Sequence, residues 1–130
     1  MTAGDAQLRT GAFTISGRWK SVRHAYLGLL FMLRTQHNAW IHAAATVAVI
    51  AAGVALQVSV DDWRWLVVAI VMVWIAEALN TAFEHLCDVV SPEFHPSVKR
   101  SKDIAAGAVL LCAAGAVFVG VSVLLPHLTR

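Results

Sequence analysis

The stretch "IAAGAVLLCAAGAVFVGVSVLL", residues 104–125, runs for 22 residues without a single charge. About 20 apolar residues suffice for a helix to cross the hydrocarbon core of a bilayer, so this segment predicts a transmembrane helix. The whole composition agrees. Of 130 residues, 58% are hydrophobic and only 14% charged, too apolar for an ordinary soluble domain of this length. Working back along the chain, Ala39 to Val58 forms a second apolar stretch with His42 and Gln57 near its ends. A third begins at Trp65 and runs to Ala76. The expected architecture is all-α, an integral membrane protein with transmembrane helices over about 38–58, 63–90 and 102–126.

The first 25 residues mix Asp5, Arg9, Arg18, Lys20 and Arg23 without an apolar core, so no secretory signal is read and the N-terminus is expected to be retained. Residues 1–16 are small, polar and aperiodic and read as a disordered tail; residues 17–130 form the one expected domain. Within it, Trp19, Val22, Tyr26, Leu29, Leu30 and Leu33 recur at spacings of three and four, with Lys20, Arg23 and His24 opposite. That pattern predicts an amphipathic helix over about 17–35 lying on the membrane surface. Basic residues cluster before the first span and at Lys99, Arg100 and Lys102, whereas the connection "QVSVDDWR" carries two acids and one arginine. By the positive-inside rule, the N-terminus and the second connection face the cytoplasm. Trp63 and Trp65 read as an interfacial belt. Pro92 and Pro96 read as stops, and Ser101 as the N-cap of the last helix. Small residues at Ala44, Ala48, Ala52, Ala116 and Gly120 suit close helix packing in lipid.

The chemistry concentrates in "EALNTAFEHLCD", residues 77–88. At about 100° per residue, Glu77, Thr81, Glu84 and Asp88 share a narrow sector of one helix, with Asn80 on its flank. Glu77 and Glu84 lie about 10 Å apart along the axis, and Asp88 about 6 Å further. A carboxylate near mid-bilayer costs about 2.5–3.5 kcal/mol on insertion scales, so such a stripe is a functional hypothesis by default. Carboxylate oxygens are the hard ligands that suit Mg²⁺, which takes one or two of them together with nucleotide phosphates. Glu84 is thus a candidate metal ligand and the deeper Glu77 a candidate general base. Lys99, Arg100 and Lys102 follow near the cytoplasmic mouth, where cations neutralise phosphate oxygens. Three thin helices offer little cover for a row of carboxylates, which points to a homo-oligomer. No GxxxxGK[ST] occurs, so a nucleotide would be held without a P-loop.

Plainer readings compete for the individual residues. Lys99 and Arg100 serve equally as topology determinants, Asp103 as the acid that complements a helix start, and His42 as an interfacial residue. Cys87 and Cys112 read as small core residues. His85, Cys87 and His95 match no standard zinc spacing. A proton or divalent-cation channel would also line itself with carboxylates, but the span from Trp65 to Ala76 has no polar lining. Nucleic acid is not an expected partner.

"EALNTAFEHLCD" followed by "HPSVKRSKDIAAGAVLL", with the weaker "RTQHNAWIH" at residues 34–42, resembles the prokaryotic membrane lipid kinases, the family of diacylglycerol kinase and undecaprenol kinase. The resemblance implies a multi-pass protein of the bacterial inner membrane. Its subunits would each have three spans and a surface helix, would assemble as a homotrimer, and would transfer the γ-phosphate of ATP, with Mg²⁺, to a lipid hydroxyl at the cytoplasmic interface. At matching positions it implies Glu77 as general base with Asn80 beside it, and Glu84 as metal and nucleotide ligand. Glu93, His95, Lys102 and Asp103 fall where the nucleotide is contacted. Asp88 is left a supporting polar role. "NAWIH" and "HPSVKRSKDIAAGAVL" lie closer to the undecaprenol branch than to the diacylglycerol branch. The chain departs from the family's E-x-N-F-R-I-H segment: Gln36 stands where a metal-ligating glutamate is usual, and Ala39 and Trp40 replace the aromatic and basic positions. An uncharged Gln36 implies weaker metal binding, and a catalytically impaired scaffold of the same fold is the corresponding alternative.

Overall fold

In a computed structural model of the chain, residues 15–129 are described. They form four helices: α1 (Ile15–Thr35), α2 (His37–Ala55), α3 (Val60–Val90) and α4 (Pro96–Leu128). No strand occurs among the described residues. α2, α3 and α4 are each long and apolar enough to cross a membrane, and the fold is the expected all-α membrane architecture. Most of the expected tail, residues 1–14, lies outside the described residues. Ile15 and Ser16, assigned by sequence to that tail, already belong to α1.

The helix ends explain where the boundaries fall. α2 closes through a Schellman arrangement, in which the Gln57 N–H donates to the Val54 carbonyl and the Val58 N–H to the Gly53 carbonyl. Gln57 takes the left-handed backbone conformation there, with φ 51°. α3 then starts at Val60, three residues before the expected span of about 63–90, because Ser59 and Asp62 form a reciprocal capping box. α4 differs more. Pro96 does not stop a helix; it opens one, at a first-turn position where a missing N–H costs nothing. His95 is the N-cap, its Nδ1 accepting from the Ser97 N–H at 3.2 Å, and Ser101 lies inside the helix.

α3 is the central element, touching each of the other three helices and packing most extensively on α4. At the end away from the carboxylates, Val58, Leu66 and Val123 form a buried cluster against Trp63, Leu56 and Val49. Trp63 is therefore a packing residue, while Trp65 remains exposed as an interfacial belt would require. Gly53 shows why. A Cβ there would come within 2.8 Å of the Trp63 ring. Gly53→Ala is expected to destabilise the protein by about 1–3 kcal/mol, the usual range for overpacking. Thermal unfolding in detergent checks this, and Trp63→Phe in the same background should recover part of the loss.

Candidate functional site

Two interruptions of the apolar pattern meet between α2, α3 and α4. Glu77, Asn80 and Glu84 of α3, Asn38, Ile41 and His42 of α2, and Ala106, Val109, Leu110 and Ala113 of α4 line a cleft of about 220 Å³. Burial along the stripe falls toward the C-terminal end of α3. Glu77 is 1% exposed and Asn80 7%, Glu84 is half-buried, and Asp88 is exposed. Helical geometry produces this gradient: Glu77 lies where α3 is flanked by α2 and α4, whereas Asp88 is three turns further on, near the end of α3. A single chain covers Glu77 but leaves Glu84 half-buried and Asp88 exposed.

Asn80 donates from Nδ2 to Glu84 Oε1 at 3.2 Å, which ties the amide to the half-buried carboxylate. Glu77 Oε2, Asn80 Oδ1 and Thr81 Oγ1 are buried without a hydrogen-bond partner among the described residues. Buried polar atoms are nearly always paired, so an unsatisfied carboxylate oxygen on a cleft wall marks a place for a donor that arrives from outside. Asn80, expected at the flank, is a lining residue. Thr81, expected within the stripe, is buried yet not part of the lining. His42, read from sequence as interfacial, is in the cleft with Nε2 3.8 Å from Glu77 Oε2. No sequence signal gives this placement, because it depends on how α2 is rotated against α3.

The remaining candidates are not among the cleft's lining residues. Gln36 is the N-cap residue of α2 and makes no side-chain capping hydrogen bond. Glu93 is exposed on the α3–α4 loop, where the Ser91 hydroxyl donates to its backbone carbonyl at 3.2 Å. His95 caps α4. Lys102 Nζ donates to Asp88 Oδ1, and Lys99 Nζ to Asp103 Oδ2, each at 2.7 Å. The Lys102–Asp88 pair joins the end of α3 to the start of α4, whereas Lys99–Asp103 lies within α4. Phe31 of α1 meets the His85 ring at 5.2 Å, setting α1 beside α3. Cys87 and Cys112 are both free.

The donor chemistry of the cleft is carboxylate and amide oxygen, which suits Mg²⁺. Among the described residues no three His, Cys, Asp or Glu side chains cluster as a metal cage. The fit is thus to an ion that takes one protein carboxylate, from Glu84, and shares the rest of its shell with phosphates and water. Below the cleft, and sharing Ile41, His42 and Ala113 with it, a groove of about 590 Å³ runs between α2, α3 and α4 as far as Leu66 and Leu128. Its walls are almost wholly apolar. The arrangement therefore joins a polar cleft holding an unsatisfied carboxylate to a lipid-like groove.

Residues 23–124 match the family described as prokaryotic diacylglycerol kinase. The chain is 37% identical over 110 residues to the undecaprenol kinase of Bacillus subtilis, covering 85% of this chain and 89% of that protein. It is 42% identical over 109 residues to a diacylglycerol kinase of Synechocystis, covering 83% of this chain and 62% of that longer protein, less than two thirds of its length. With its three membrane-spanning helices and the cleft in "EALNTAFEHLCD", the chain belongs to the prokaryotic diacylglycerol kinase family and is a membrane-bound lipid kinase.

Proposed function

We propose that the chain transfers the γ-phosphate of ATP, delivered with Mg²⁺, to the hydroxyl of a membrane lipid alcohol at the cytoplasmic interface, with undecaprenol preferred over diacylglycerol. The observation that carries this reading is Glu77, which lines the cleft and whose buried Oε2 has no hydrogen-bond partner, while an apolar groove adjoins that cleft. A lipid hydroxyl supplies the missing donor. Its proton passes to Glu77, its oxygen bonds to the γ-phosphorus, and the bond from that phosphorus to ADP breaks. Asn80 orients the acceptor side through its orphaned Oδ1, and its tie to Glu84 keeps the two carboxylates in register.

Glu84 takes the metal and nucleotide role. Mg²⁺, when bound, neutralises charge on the phosphates. Glu93 and His95 on the loop, and Lys102 and Asp103 on α4, form the nucleotide side. Lys102 and Asp103 are already engaged in ion pairs with Asp88 and Lys99. Exposed pairs of this kind are weak, so a triphosphate displaces them at small cost. Asn38 and His42, which belong to the "NAWIH" segment, line the cleft, and this supports an acceptor of the undecaprenol type. α1 is proposed to lie on the membrane surface, since Trp19, Val22 and Tyr26 are exposed beside Lys20 and Arg23. The basic segments support a cytoplasmic N-terminus in the bacterial inner membrane, and the family resemblance supports a homotrimer.

Product analysis tests the reading. Purified protein in mixed micelles with ATP and Mg²⁺ is offered undecaprenol or diacylglycerol, and lipid phosphate is measured. Phosphate should appear on undecaprenol faster than on diacylglycerol; a chain that phosphorylates neither refutes the proposal. Gln36 supplies a further expectation. Gln36→Glu restores a charge at the head of α2, and the Mg²⁺ concentration for half-maximal rate should fall. An unchanged requirement would remove Gln36 from the metal.

A further inference from the structure

His42 lies on α2 beside the carboxylate, at the boundary of the cleft and the apolar groove that it shares with Ile41 and Ala113. It lines both. Its Nε2 stands 3.8 Å from Glu77 Oε2, the oxygen without a hydrogen-bond partner. That separation is longer than a hydrogen bond, and catalytic contacts of this kind often close only when substrate is bound. The imidazole is held from behind. The Trp74 indole meets it edge-on, with ring centroids 6.5 Å apart and planes at 70°. The same indole N–H donates to Thr46 Oγ1 at 3.1 Å, and Thr46 is one helical turn along α2 from His42. A hydrogen bond between two membrane-spanning helices, with apolar side chains around it, fixes the rotation of α2 against α3. Losing either partner would leave a polar group unpaired in those surroundings. Trp74 has no other part in the proposed phosphoryl transfer, and Thr46 is otherwise only one of the groove's lining residues.

Resting on the lipid-kinase reading of the cleft, we propose that His42, buttressed by Trp74 and Thr46, is a positioning residue for the acceptor: it fixes the Glu77 carboxylate where the lipid hydroxyl passes from groove to cleft. Its work is done on the acceptor side. The nucleotide candidates Glu93, Lys102 and Asp103 line neither the cleft nor the groove. Changes at His42 thus separate lipid kinetics from ATP kinetics.

The test uses the full chain in mixed micelles with Mg²⁺, varying lipid alcohol and ATP separately. His42→Ala should lower kcat/KM for the lipid by about tenfold or more, as expected when a reacting group is displaced by a fraction of an ångström, with the KM for ATP held within about twofold. His42→Gln, which keeps a hydrogen-bonding nitrogen, should recover part of that loss. Trp74→Phe keeps a ring against His42 but removes the indole donor, and Thr46→Val removes its acceptor. Both should lower lipid kcat/KM by similar factors, again with ATP KM unchanged. A purely structural role would move lipid and ATP parameters together and leave His42→Gln no better than His42→Ala; either result overturns the inference. So does wild-type lipid kinetics in His42→Ala. A wild-type chain that leaves every lipid alcohol unphosphorylated overturns the lipid-kinase reading and this inference with it, whereas an active wild type with an indifferent His42→Ala overturns this inference alone.

Discussion

Glu77→Gln is expected to lower kcat for lipid phosphorylation by about 10²–10⁴-fold, the range a positioned general base contributes. The substitution is nearly isosteric, so the shape of the cleft is kept. Stability should hold or rise, because a 1% exposed carboxylate inside a membrane-spanning helix is replaced by a neutral amide and insertion of charge costs about 2.5–3.5 kcal/mol near mid-bilayer. Initial rates and thermal unfolding of the same preparation check both halves of the expectation. The amide still accepts a hydrogen bond from a lipid hydroxyl, so the KM for lipid should change little. Wild-type turnover in this variant would remove Glu77 as the base.

Glu84→Gln should separate from it in kind. The half-buried Glu84 is the cleft carboxylate nearer the mouth, and its Oε1 accepts from Asn80. A glutamine carbonyl preserves that hydrogen bond but removes the charge. Disturbing even the outer shell of a metal site costs about 10–100-fold in affinity or activity, and loss of a direct ligand's charge should cost at least as much. The expected result is a higher Mg²⁺ requirement and a raised KM for ATP, with the lipid KM unaffected. Titration of rate against Mg²⁺ at fixed lipid reads this directly. A variant whose loss appears only in the lipid KM would place Glu84 on the acceptor side.

The three spans were legible because uncharged runs such as residues 104–125 need no tertiary information to be recognised. The stripe from Glu77 to Asp88 was legible for a similar reason: helical spacing alone brings those residues to one face. What sequence missed depends on packing between helices. Pro96 was read as a stop, though the same ring suits the first turn of a helix. Trp63 was read as a belt residue, and only its approach to Gly53 shows it to be packed. His42 was read as interfacial because the rotation that sets it beside Glu77 is fixed by Trp74 and Thr46, 28 residues apart in the chain. The depth of Glu77 was not legible, since it depends on how closely α2 and α4 flank α3. The pairing of Lys102 with Asp88 was not legible, because it joins residues 14 apart on two different helices.

The central claim is that an acceptor hydroxyl comes to rest against Glu77. Carboxylate footprinting tests it most directly: the protein in micelles is treated with a hydrophobic carbodiimide, and the adduct on the Glu77 peptide is followed by mass spectrometry. Labelling at Glu77 should be suppressed by saturating undecaprenol and unaffected by a hydrocarbon of similar length that lacks the hydroxyl. Equal labelling of Glu77 with and without the lipid alcohol would contradict the account.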